Sequence, residues 1–219
     1  MGCYRVQLSK NMSYSEPAFV VATLWEYIEP LARGDRYEDP LNEVLEAQNL
    51  GEICGGGTQL SDKCGIEFVD IEIEVNDLKS GLAVAKETLE AQGAPKGSVF
   101  RFTEQGVQKT LDFGVTECLA VFLDGIGLPA SVYKASDINI LAALFNDFLS
   151  KDQSGEIRSC WVGPNETAIF LFGADAEKIH AALEPVLNSY PLCQNARIVI
   201  RHGNPSLEPR ELRLPMLSY

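Results

Sequence analysis

Apolar and polar residues alternate in short runs along this chain, and between those runs lie stretches with helical spacing. Tyr4, Val6 and Leu8 alternate with Arg5 and Gln7, the period of a half-buried strand. Ser15, Glu16 and Pro17 then read as a helix start, with Val20, Val21, Leu24, Trp25 and Ile28 on one broad face. Pro30 and Gly34 interrupt that helix. Asp39-Pro40 caps another, in which Leu41, Val44 and Leu45 point inward and Gly51 is the stop. A strand at 52–54, a break at Gly55-Gly56-Gly57 and a long strand at 66–75 follow. A helix at 78–92 carries Leu82, Val84, Ala85 and Leu89 inward. Gly93 ends it, strand 99–102 closes the unit, and Gly106 turns the chain into a hairpin with 110–113.

The second half repeats this order. A strand at 119–123 precedes a capped helix at 137–149. Strands 156–162 and 168–172 pair through Gly163-Pro164-Asn165, and a helix at 174–187 leads to a closing strand at 197–201. Gly51-Glu52-Ile53 and Gly155-Glu156-Ile157 open equivalent strands. The expected fold is α+β, a tandem duplication of a ferredoxin-like βαββαβ unit, with antiparallel sheets and helices packed on one face. Residues 1–112 form the first half and 113–203 the second, while 204–219, with prolines and little alternation, form an extended C-terminal arm. Strands 119–123 and 167–172 are apolar on both faces. Their sheet is therefore expected to be covered on both sides, by the first half, the arm or a second copy of the chain, which leaves room for a homo-oligomer.

Asp39–Leu60, with its capped helix, Leu-Gly stop and triple glycine, resembles segments of uncharacterised bacterial proteins. That resemblance implies no activity.

Charge changes the picture more than composition does. The net charge of −13 disfavours nucleic acid and anionic membrane as partners and favours cations or a basic protein. It is uneven, with 19 acids against 10 bases before residue 113 and 12 against 8 after it. No apolar run is long enough to span a bilayer and no secretory leader pattern is visible, so a cytoplasmic protein with free thiols is expected. The six cysteines form no CxxC pair or zinc knuckle, and no metal or other cofactor is expected.

The most distinctive chemistry lies on strand 66–75. Val69, Ile71, Ile73 and Val75 share one face; Asp70, Glu72 and Glu74 share the other, about 6.5–7 Å apart. Ile66 and Phe68 break the parity, which places a bulge near 68–69. In a ferredoxin-like unit this strand is central, so the carboxylates form a row in mid-sheet. Arg5 and Arg101, on the same face, could neutralise it by cross-strand pairing. Left free, it would meet a basic partner, with Asp62, Glu67 and Asp77 aiding encounter. An immunity- or antidote-type protein that captures a basic toxin works in this way.

The alternative is a small-molecule-sensing regulatory protein with its ligand between the halves, where Gly55, Gly56, Gly57 and Trp161 would line the pocket. An enzyme of unknown reaction comes third, because a Cys160–His202 pair would need spatial contact that sequence cannot show. No catalytic residue is assigned.

Overall fold

The computed structural model describes residues 17–203 and 207–216. Its first strand, β1 (Ala18–Leu24), pairs on both sides, with β3 (Gly65–Val75) and β4 (Ser98–Glu104). This corrects the helix expected from Ser15 onward. Val20, Ala22 and Leu24 are buried in the core while Phe19 stays half exposed, which is period-2 alternation. The same apolar residues also fit a helical face, but β-branched Val20, Val21 and Thr23 favour a pleated strand, and ladders on both edges satisfy the backbone. The strand expected at 4–8, and Arg5 with it, lie outside the described residues.

After β1 the chain forms α1 (Pro30–Arg33), a π-helical turn at Gly34–Glu38, and α2 (Asp39–Ala47). β2 (Gly51–Ser61) then runs through the triple glycine without breaking, a second correction. Packing explains these glycines. A Cβ on Gly56 would lie 2.8 Å from Arg33 Nη2, and one on Gly55 2.6 Å from Glu72 Oε2. Arg33 is buried and fastens the strand, donating to Gly57 O at 2.6 Å and Thr58 Oγ1 at 3.1 Å.

β3 carries an extra residue, Glu67, where the register shifts against β2; the parity break thus falls one residue before the expected bulge. α3 (Leu78–Ala91), capped by Asp77, leads to β4 and then β5 (Val107–Phe113). The antiparallel sheet has the order β2-β3-β1-β4-β5.

The second half has the same path. β6 (Glu117–Asp124), α4 (Ala130–Ala135), α5 (Ile138–Asp152), β7 (Glu156–Val162), β8 (Glu166–Gly173), α6 (Ala176–Leu187) and β9 (Arg197–Arg201) follow in order. Asp137 caps α5, accepting from Asn139 N, and Asp175 caps α6, accepting from Glu177 N and Lys178 N. Within the extended C-terminal arm, Arg210–Arg213 forms β10 on the edge of β9, and the sheet order is β10-β9-β6-β8-β7. Both halves are thus ferredoxin-like α+β units extended by a fifth strand on the same side.

Each sheet packs one face on its own helices. Leu119, Val121, Ile169 and Leu171 join α5 and α6 in one core, and Val20, Ile71, Ile73 and Phe100 join α2 and α3 in another. The opposite face of the second sheet, with Ala120, Phe122, Ala168, Phe170 and Phe172, is also buried, and it is the first half that covers it, through Tyr27 and Cys64. The Tyr27 ring stacks on Phe170 at 4.1 Å and 10°. Among the described residues no helix is long and apolar enough to cross a membrane.

Candidate functional site

Where β1 ends, Trp25, Glu26 and Tyr27 alternate as the strand did, so that Trp25 and Tyr27 face the second sheet from one side. The β2–β3 hairpin tip, from Ser61 to Glu67, reaches across from another. Between these elements and the uncovered end of the second sheet lies a cleft of about 670 Å³. Its floor is Ala120 and Phe122 of β6 with Arg197, Val199 and Arg201 of β9, and its walls include Trp25, Tyr27 and Trp161. The size lies within the usual range for a small-molecule site, and a seam between units is a usual place for one.

Trp161 sets the spacing of the cleft. Its indole is wedged between two glycines: a Cβ on Gly65, whose φ is +80°, would lie 2.3 Å from Trp161 Cδ1, and one on Gly163 2.2 Å from Cη2. Only glycine at the hairpin tip allows both the left-handed turn and the ring. Trp25 makes an edge contact with Phe68 at 5.3 Å.

The two arginines of the floor differ. Arg197 is matched by Glu166 at 2.8 Å and Glu211 at 3.7 Å, and its guanidinium lies 3.9 Å over the Phe122 ring. Arg201 is half-buried, and its guanidinium has no hydrogen bond or carboxylate partner among the described residues. Around it are Tyr27, Cys64 and Cys118, all of which feel its charge. Burial pushes the Tyr27 phenol and both thiols up, more than Arg201 pulls them down, so all three are neutral at pH 7.

Behind the cleft the halves are joined by buried charge. Arg158 of β7 donates to Glu26 Oε2 at 2.6 Å and Tyr37 donates to the same oxygen at 2.7 Å; the pair is 2% and 0% exposed. Arg158 also meets Glu156 at 3.0 Å and lies 4.5 Å over Phe172. Burial drives the Glu26 carboxyl above its usual range despite Arg158, and its Oε1 has no hydrogen-bond partner among the described residues. Arg36 pairs with Glu156 across the same seam.

The residues singled out from sequence are dispersed. Asp70, Glu72 and Glu74 do lie on the face of the first sheet away from its helices, and the halves do not stack over them. Asp70 accepts from Thr23, whose hydroxyl accepts in turn from Arg101 at 2.5 Å. Thr23 thus stands where Arg5 was expected, and Arg101 meets Asp70 only through it. Glu72 and Glu74 have no cationic partner among the described residues. Asp62 and Glu67 line the cleft, not the carboxylate row, while Asp77 is occupied as the cap of α3, accepting from Ser80 N at 2.8 Å. Of the expected pocket residues, Trp161 lines the cleft; Gly55, Gly56 and Gly57 do not.

Cys160 and His202 are not brought together. β6 and β8 separate their strands, ~14 Å at normal strand spacing. His202 instead meets Glu117 at 2.9 Å. Among the described residues five cysteines are free, and no group of three or more His, Cys, Asp and Glu is arranged to hold a metal.

Sequence reading passed over Tyr27, Arg197 and Arg201. The signal for the arginines was present: Arg197, Val199 and Arg201 share one face of a strand whose other face is Ile198 and Ile200. Two cations on the face that β9 shares with apolar Ala120 and Phe122 of β6 mark an unusual place.

No protein-family model matches the chain, and no curated protein matches it in sequence. Among solved structures it is similar to the TiaS chain of a complex with an isoleucine transfer RNA, AMPCPP and agmatine, with a TM-score of 0.32 and 10% identity, over 91% of this chain and 59% of that one. It is similar to a putative monooxygenase from Lactobacillus acidophilus NCFM, with TM-score 0.26, 14% identity and 78% and 82% coverage. The same holds for an unknown protein from Galdieria sulphuraria, at 0.26, 10%, 85% and 98%. The chain spans less than two thirds of the TiaS chain, and likeness at this level carries no argument about activity or ligand.

Proposed function

We propose that the protein is a small-molecule-binding, ligand-sensing protein that holds its ligand in the cleft between its halves. The observation that carries this reading is the 670 Å³ cavity walled by two tryptophans and a tyrosine, with an unmatched arginine in its floor. Large aromatic walls with a few directed polar groups are the usual make-up of such sites. A cytoplasmic setting belongs to the proposal, since the described cysteines are free.

The test is a thermal-shift screen against metabolites. A ligand at 100 times its Kd stabilises by about 2.7 kcal/mol, and the shift it causes is expected to vanish in Asn165→Trp, which fills the exposed rim. Hits that shift this variant as much as the wild type, or a screen with no hits, would overturn the reading.

A second reading rests on a different surface. Glu72 and Glu74 stand free of cations on an outward face beside exposed Phe19, which supports capture of a basic partner, including a toxin of the kind an immunity protein neutralises. Charge reversal by Glu72→Lys is expected to remove a basic protein retained at low salt; retention unchanged by the reversal refutes this reading.

A further inference from the structure

We propose that the cleft takes a planar aromatic molecule carrying a single negative charge, an aromatic carboxylate, anchored on Arg201. This rests on the reading of the cleft as a ligand site and names the chemistry of what it holds.

The charge follows from how the arginines are matched. In a chain with 31 acidic and 18 basic residues, cations find partners readily, as Arg197 does with two carboxylates four residues from Arg201. Arg201 has none among the described residues, and its neighbours Tyr27, Cys64 and Cys118 are neutral. A half-buried guanidinium has given up part of its hydration without an acceptor in return. A carboxylate supplies that acceptor, because the planar fork of arginine matches its two oxygens.

The limit to one charge follows from the rim. Asp62 and Glu67 line the same cleft with Lys63 between them, so the hairpin tip carries two acids against one base, and none of the three has an ion-pair partner among the described residues. A second or third negative charge on the ligand would face the two acids, which disfavours di- and triphosphates. Planarity follows from the walls. Four aromatic rings, those of Trp25, Tyr27, Phe122 and Trp161, line the cleft, and Trp161 is held between Gly65 and Gly163 so that it cannot fold away.

The two tryptophans of the chain are Trp25 and Trp161, and both line the cleft, so their indole N–H resonances report on it directly. The ¹⁵N-labelled full chain is titrated with naphthalene-2-carboxylate and, separately, with its uncharged isostere naphthalene-2-carboxamide. The carboxylate is expected to shift both indole resonances saturably, with a Kd about 10- to 100-fold below that of the amide, the range of a charge-assisted hydrogen-bonded pair. Arg201→Gln is expected to abolish that ratio while leaving amide binding within about twofold, and Arg201→Lys to keep part of it. Equal Kd values for the two probes in the wild type, or a ratio that survives Arg201→Gln, overturn the anion assignment and leave the cleft reading standing. No saturable indole shift with either probe overturns both. The wild-type ratio decides the anion assignment even if a variant fails to fold.

Discussion

Replacing Arg158 by methionine removes the cation from a site where almost no water can replace it. Glu26 is 0% exposed and Arg158 2%, and the guanidinium serves Glu26, Tyr37 and Glu156 at once. Breaking a buried pair from one side costs about 3–5 kcal/mol, because the remaining charge is left uncompensated. For a domain of this size that lowers Tm by about 6–20 °C. The cost should depend on pH with a definite sign. Burial already holds the Glu26 carboxyl above its usual value, and the attraction of Arg158 is among the forces that keep it from rising further. Without Arg158 the folded-state value climbs. A carboxyl raised in the folded state contributes stability that is fully present below its unfolded value and is lost as pH rises through the folded one. The deficit of Arg158→Met against wild type should therefore widen from pH 5 to pH 8, measured by urea denaturation followed by circular dichroism. Adding Glu26→Gln should recover much of it. A deficit under about 1 kcal/mol, constant across that range, would refute the reasoning.

Gly65→Ala places a methyl into the Trp161 indole at a left-handed backbone position, so about 1–3 kcal/mol of stability should be lost, and the Trp161 indole resonance should move while the core methyl signals hold. At the junction of the halves Glu117 is desolvated. Even so, Lys96, the Ala176 N–H and His202 together hold its carboxyl down at about 2. Its contribution is present above the ordinary carboxylate range and lost as pH falls toward 2, so Glu117→Gln should lie below wild type at pH 7 by about 1.5–3 kcal/mol and converge with it in acid unfolding curves.

The duplicated topology was legible because helices capped by Asp137 and Asp175, and strands such as 66–75, declare their own period. Two-sided apolar β6 and β8 also announced a second covered face. The first strand was not legible: Val20, Val21, Leu24 and Trp25 satisfy two periods, and only pairing with β3 and β4 selects one. The triple glycine read as a break because its reason, the approach of Arg33 and Glu72, lies in residues remote in sequence. The same holds for the cleft. Trp161 was placed at a pocket between the halves from its sequence, but that Tyr27 and Arg201 line the same cleft depends on how one half docks on the other, which no local pattern encodes.

The connection between the halves has a mechanical consequence. Three residues, Gly114 to Thr116, separate β5 from β6, and each is tied down: Gly114 N to Glu90, Val115 N to Ala94 O, and Thr116 to both Ala94 and Lys96. Gly114 lies so close to Pro95 that a Cβ would fall 1.9 Å from its carbonyl oxygen. A joint this short and this fully bonded has no slack to bend, so the two sheets cannot close on a guest like a jaw. The rim is made by two turns, the hairpin tip around Asp62 and the β7–β8 turn at Asn165, so a guest would be felt first in those turns, while the body beneath them keeps its shape.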